Sequence, residues 1–253
     1  MNEALRGPVL FEEEHIVVQK NTEYYDVKWG YVEDPARNNT WNWAAFFFFS
    51  FWLTYRKMYK PFIVISILQL MWMIPFSIID IPLWFYLTFY VTVAFIVGRN
   101  ANRWYFNYVS SISKQAKSLT ILKQPAYLKT KGGTNTGMML GLNVILGILL
   151  FFTLGFLSSL PTETNIKDVV RLNDEGIFLE DTMVKQGWTY VKEEGSYHVV
   201  EFSGYDSIKN EGVRIVFHVY QERDLFEWKE VYIDGKKLSE KKSKAYQLQI
   251  EKK

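Results

Sequence analysis

The sequence predicts an α-helical membrane protein: three transmembrane helices and an aromatic interfacial helix, followed by a C-terminal α+β extracytoplasmic domain. Three observations carry this reading. From Pro61 to Gly98 the only charged side chain is Asp80, and from Met138 to Leu160 there is none. Between these runs, Arg99 to Gly137 holds seven cations and no acid. Beyond them, apolar and polar residues alternate from Trp188 onward. Averages conceal this partition, because 253 residues with 29 Lys plus Arg, 27 Asp plus Glu and 49% hydrophobic side chains resemble an ordinary soluble protein. The distribution excludes one soluble core and a collagen-like or disordered chain, and the lack of Cys excludes a disulfide scaffold.

Residues 1–40 form an N-terminal segment of net negative charge, expected to be cytoplasmic and partly ordered around Tyr24, Tyr25 and Trp29. Glu12, Glu13 and Glu14 stand where a signal peptide needs apolar residues, so none is expected. Residues 41–60 follow as the aromatic element. Trp41 to Tyr55 (WNWAAFFFFSFWLTY) is apolar but short of the roughly 20 helical residues that a hydrocarbon core requires. Trp and Tyr prefer headgroup depth, so a helix lying in the interface is the favoured reading. A fourth, short span is the alternative.

Residues 61–98 read as a transmembrane hairpin: Phe62 to Ile79, a turn at Asp80, Ile81 and Pro82, then Leu83 to Gly98. Pro61 sits where a helix needs no N–H donor, and Pro75 should kink the first span. Residues 138–160 form the third span. Orientation follows from charge: the cations of 99–137, with Arg56, Lys57 and Lys60 ahead of the hairpin, place the N-terminus and this loop in the cytoplasm. The third span then exits, leaving residues 161–253 outside.

Several blocks in the first half are unusual: KNTEYYDVKWG (Lys20 to Gly30), WNWAAFFFFSFWLTYRKMY (Trp41 to Tyr59) and the NRWYFNY run within Asn100 to Tyr108. Over about residues 17–120 these resemble the bacterial membrane-protein family catalogued as domain of unknown function 2628. The resemblance implies a small bacterial inner-membrane protein and supplies no reaction, ligand or catalytic residue. The third span and the C-terminal domain lie outside it.

Continued as a helix, residues 99–137 place Trp104, Tyr105, Tyr108, Val109, Ile112, Ala116 and Leu119 on one side, with Arg103, Lys114 and Lys117 opposite. Arg56, Lys57, Lys60, Arg103, Lys114 and Lys117 are therefore candidate contacts for anionic headgroups. Simple topology signalling is the competing reading. Pro125, Gly132 and Gly133 should loosen the chain before the third span. In that span Gly137, Gly141, Asn143, Gly147 and Gly155 form a stripe of small or polar residues, a candidate helix-packing face for the hairpin or for a second copy.

In the C-terminal domain, Trp188 to Lys192, Tyr197 to Phe202, Val213 to Gln221 and Leu225 to Asp234 read as strands separated by glycines. Val213, Ile215, Phe217 and Val219 should face its core. Val169 to Leu172 suggests another strand, Ile177 to Gln186 a short helix ended by Gly187, and Ser239 to Lys252 a terminal helix. Phosphate-loop, GxSxG, HExxH and CxxC signatures are absent. His198 and His218 lie on neighbouring strands and could meet with Glu201 as a third ligand, but surface histidines are the commoner outcome and no metal site is assigned.

No catalytic residue or cofactor is expected. The favoured function is non-enzymatic binding, sensing or docking to a cell-envelope component through the external domain. The alternative is an accessory subunit of a membrane transport or secretion complex. Expected partners are membrane lipids and a second copy or another membrane protein, not nucleic acid.

Overall fold

A computed structural model describes residues 12–79 and 81–251, so the turn residue Asp80 lies outside the described residues. The chain divides into two units, 1–72 with 81–152 and 73–80 with 153–253.

The first unit is helical. Two short helices, α1 (Glu12–Val18) and α2 (Thr22–Gly30), are joined through Gln19 and Asn21, both left-handed with φ of 59° and 60°. The aromatic block forms two helices rather than one, α3 (Trp43–Phe47) and α4 (Phe49–Tyr55), broken at Phe48. Asn42 starts α3, its Oδ1 accepting from the Ala45 N–H at 2.9 Å. Next come α5 (Tyr59–Met73), which tightens into a 3-10 turn over Ile74–Ser77 at Pro75, and α6 (Leu83–Lys117), one continuous helix of 35 residues. Trp72 of α5 stacks on Phe85 and Phe89 of α6, with centroids 5.6 and 5.2 Å apart. The expected apolar side of the basic helix is therefore the second half of α6, where Tyr105, Val109, Ile112 and Ala116 are buried. Its cover includes the N-terminal helices. Val17, Val18, Tyr25 and Trp29 join the same core, so the described part of the acidic segment packs around Tyr25 and Trp29, while Tyr24, expected with them, is exposed.

Gly132 and Gly133 do not loosen the chain. They follow α7 (Gln124–Lys131) and pack on the end of α1, where the Gly133 N–H donates to the Val17 carbonyl at 2.6 Å. A Cβ on Gly132 would lie 2.2 Å from that oxygen, and Gly133 has φ +74°. Glycine is needed here because backbone meets backbone, a contact that no local pattern signals.

The next helix, α8 (Thr136–Ser159), is apolar throughout. Tyr59–Ser77 and Thr136–Ser159 are the two helical stretches, among the described residues, long and apolar enough to cross a membrane. The expected middle span, Leu83 to Gly98, is the first half of α6, and Trp84, Leu87, Val91 and Phe95 are exposed along it.

The second unit is an antiparallel sheet with helices. In place of the strand expected at 169–172 stands α9 (Glu163–Arg171): Thr162 accepts from the Asn165 N–H, and Ile166 and Val170, four apart, are both buried. Helical spacing of two apolar anchors overrides the β preference of Val169 and Val170. The short helix is α10 (Asp174–Thr182), earlier than expected, and Gly187 lies within a strand instead of ending the helix. The sheet follows as β1 (Val184–Glu194), β2 (Tyr197–Asp206), β3 (Glu211–Tyr220), β4 (Leu225–Ile233) and β5 (Lys236–Lys237), in meander order. Asp234 and Gly235, both with positive φ, make the two-residue turn before β5. The terminal helix is α11 (Glu240–Glu251). Val213, Ile215, Phe217 and Val219 are buried as expected, against Val200 and Phe202 on one side and Val231 on the other.

Candidate functional site

The strongest concentration of unusual chemistry lies in the first unit, around Arg56. It ends α4, and Met58 and Phe62 lead into the apolar core beyond it. The side chain is 3% exposed, which moves it from the surface role expected of it to the interior. Its guanidinium carbon lies 4.9 Å from the ring centre of Tyr25, 5.1 Å from Tyr105 and 5.8 Å from Tyr55. These are cation–π distances, and each ring presents a negative face to the charge. Nη1 donates to the carbonyls of Lys20 at 3.1 Å and Val18 at 3.5 Å, and to the Tyr105 hydroxyl at 3.4 Å. The Val18 carbonyl ends α1 and that of Lys20 lies just beyond it, at the negative end of the helix dipole. No carboxylate pairs with Arg56 among the described residues, and its buried Nε has no hydrogen-bond partner there.

Two phenols of this box stay neutral, because burial raises Tyr25 and Tyr105 above the ordinary tyrosine range. A second polar group locks the frame. Asn42 Nδ2 donates to Asn102 Oδ1 at 2.8 Å, Asn102 Nδ2 donates to Thr40 Oγ1 at 2.9 Å, and Trp29 Nε1 donates to the Asn102 carbonyl at 2.9 Å. Outside the box, Tyr24, Trp41, Trp43 and Trp52 wall a cleft of about 370 Å³, with Lys28 and Arg56 as its cations. Lys28 Nζ stands 5.7 Å from the Tyr24 ring centre.

The other candidate headgroup contacts are placed variously. Lys57, with φ 58°, turns its ammonium to the carbonyls of Thr130 and Gly132, and burial with Lys131 nearby lowers its pKa. Arg103 is half-buried and bonds Asn100 Oδ1 at 2.9 Å and the Arg37 carbonyl. Lys60, Lys114 and Lys117 are exposed. Of the candidate packing face, only Asn143 bonds to another helix among the described residues: its Nδ2 donates to Thr54 Oγ1 at 3.0 Å, and its Oδ1 accepts from Ser50. A Cβ added at Gly141, Gly147 or Gly155 would meet nothing within 4 Å, and one at Gly137 would meet only Asn135 at 3.5 Å. The helix packs through Leu142, Leu146 and Leu150 instead, since large side chains fill the space that the glycines leave open on another side.

The metal constellation does not assemble. His198 pairs across the strands with Val219, and His218 with Val199, so the two imidazoles lie on opposite faces of the sheet. His218 stacks on Tyr197 at 3.9 Å, and Glu201 accepts from Arg214 at 3.1 Å. Among the described residues no three His, Asp or Glu side chains are grouped to hold a metal ion. The outer sheet face instead carries an aromatic and charged row: Arg214 lies 3.8 Å from the Tyr232 ring centre, and Tyr197 neighbours Tyr220.

These features define a mostly helical protein with two apolar helices of membrane-crossing length and a C-terminal antiparallel sheet. Residues 14–110 match the family described as Protein of unknown function (DUF2628), the family that the aromatic blocks resemble. Every residue of the Arg56 box lies within that match, and α8 and the sheet lie beyond it. No curated protein and no solved structure matches the chain.

The burial of Arg56 escapes sequence reasoning because a cation beside Lys57 looks like a topology signal. The available hint was its setting: an arginine between Tyr55 and Tyr59, far in sequence from any acid. Arginine stacks on rings better than lysine does.

Proposed function

We propose that this is a bacterial inner-membrane protein with three crossings whose C-terminal domain, outside the cytoplasm, docks to a cell-envelope component without catalysing a reaction. The observation that carries the membrane reading is α8: Val144 is 60% exposed, Phe151 74% and Phe156 63%, an arrangement that water penalises and lipid does not. The apolar first half of α6 supplies the middle crossing, and the cations of 99–137 support a cytoplasmic loop. Docking is supported by the outer sheet face, where Tyr197, His218, Tyr220, Arg214 and Tyr232 offer rings and charge.

A reporter active only outside the cytoplasm should be active fused after Lys253 and silent fused near Lys117. Reversed activities overturn the orientation. Crosslinking with mass spectrometry in native membranes tests docking: envelope polymer on the sheet face is expected. The open glycine side of α8 favours a second reading, an accessory subunit of a membrane transport or secretion complex. Crosslinks confined to the helices and other membrane subunits would replace docking with it.

A further inference from the structure

We propose that the cleft in front of Arg56 is a phosphate-binding site, with Arg56 as its anchor and Lys28 as its second cation. Arginine here is charged, almost wholly buried and unpaired with any carboxylate among the described residues, an arrangement that is costly without compensation. The compensation in place is incomplete. All three hydrogen bonds leave from Nη1, while among the described residues Nη2 donates to no protein atom and the buried Nε has no partner. One edge of the guanidinium is thus unspent. Nη2 is left to donate to an oxygen of a tetrahedral oxyanion, and Nε, in the same plane but closed to solvent, joins it only where the rings over it part.

The surroundings select the rest of the ligand. The cleft of about 370 Å³ is walled by Tyr24, Trp41, Trp43 and Trp52, which suits an apolar body carried beside the charge. Trp43 is 62% exposed at the mouth. Two sources carry the required group: the phosphate of an anionic phospholipid and free inorganic phosphate. The rings favour the lipid, as does the position of Arg56 three residues ahead of the apolar stretch Tyr59–Ser77. The lipid source rests on the membrane reading above, whereas the phosphate site does not. Failure of the first appears in the reporter fusions, and failure of the second appears in binding to solubilised protein.

The test uses the full chain in a non-ionic detergent, following tryptophan fluorescence, since Trp41, Trp43 and Trp52 line the cleft. Three probes are titrated: short-chain phosphatidylglycerol, inorganic phosphate, and a diacylglycerol of the same chain length. Saturable binding of phosphatidylglycerol is expected, with the diacylglycerol at least roughly tenfold weaker because it lacks the charge-assisted bonds. R56K should weaken binding roughly tenfold by losing the fork, and K28A roughly threefold. If R56K does not fold, as judged by its melt, K28A and W43A decide, since both residues lie at the rim. Phosphatidylglycerol binding without inorganic phosphate binding assigns the lipid source, and comparable binding of both assigns free phosphate. No saturable binding of either, equal binding of the diacylglycerol, or rim variants that bind like the unaltered chain would overturn the site.

Discussion

Asn42 and Asn102, 60 positions apart, meet in the interior with Nδ2 of the first donating to Oδ1 of the second at 2.8 Å. One caps α3 and the other sits on α6, so a single amide pair joins the aromatic block to the long helix. The Asn42 N–H also donates to the Gly98 carbonyl at 2.8 Å, one turn earlier on α6. A Cβ on Gly98 would stand 2.8 Å from the Phe46 Cβ, which fixes how closely the two helices approach.

N102A should therefore destabilise the helical unit by about 3 kcal/mol, because it strands buried donors and acceptors on Asn42 and Thr40. N102D should cost more by placing an unpaired carboxylate there. Thermal unfolding of the solubilised protein measures both, and a melt of N102A equal to that of the unaltered chain would show the pair to be dispensable.

Gly132 and Gly147 should respond oppositely to substitution. G132V drives its side chain into the Val17 backbone and should release α1, exposing it to limited proteolysis. G147A meets nothing among the described residues and should stabilise α8 by about 0.5–1 kcal/mol, because alanine suits a helix interior better than glycine. A protease-resistant G132V would contradict the close approach.

The C-terminal domain should fold without the helices before it. Its core of Val200, Phe202, Ile215, Phe217 and Val231 is closed by α9, α10 and α11. Residues 161–253 expressed alone should melt cooperatively, and F217A should cost about 3–5 kcal/mol within that fragment. An aggregated fragment would mean that the core is completed elsewhere.

Glu175, at the start of α10, supplies a pH dependence. Burial raises its carboxyl above the ordinary range, with Glu251 and Asp174 adding to the effect. Its folded pKa therefore exceeds its unfolded one. The penalty is absent below the unfolded value, grows as pH rises through the window between the two, and is complete above the folded value. E175Q should raise the melting temperature by about 2 °C at neutral pH and by nothing in acid below the unfolded pKa. An equal shift at both pH values would remove the carboxylate from the explanation.

Much of this architecture was legible in the chain because it depends on local spacing. Apolar runs without charge marked Phe62 to Ile79 and Met138 to Leu160, which overlap the helical stretches Tyr59–Ser77 and Thr136–Ser159, and alternation placed Val213, Ile215, Phe217 and Val219 on one face. Hydrophobic periodicity is a property of neighbours, so a reader of neighbours finds it. Where two periods competed, as at Val169 and Val170, the β preference of single residues misled, and the helical spacing of Ile166 and Val170 decided.

The Arg56 box shows what only tertiary structure decided. Tyr25, Asn42, Arg56, Asn102 and Tyr105 come from four separate helices or their caps, and nothing in their spacing announces that they converge. The sequence determined that each is polar or aromatic. Whether a cation beside such residues faces water or becomes a buried centre depends on which distant rings and carbonyls close over it. In the same way, the close approach of Gly132 to Val17 spans most of the helical unit and becomes necessary only once α1 and α7 dock. Burial and long-range contact belong to the packed arrangement of segments, since desolvation acts on a side chain through whatever surrounds it in space and not through its neighbours along the chain.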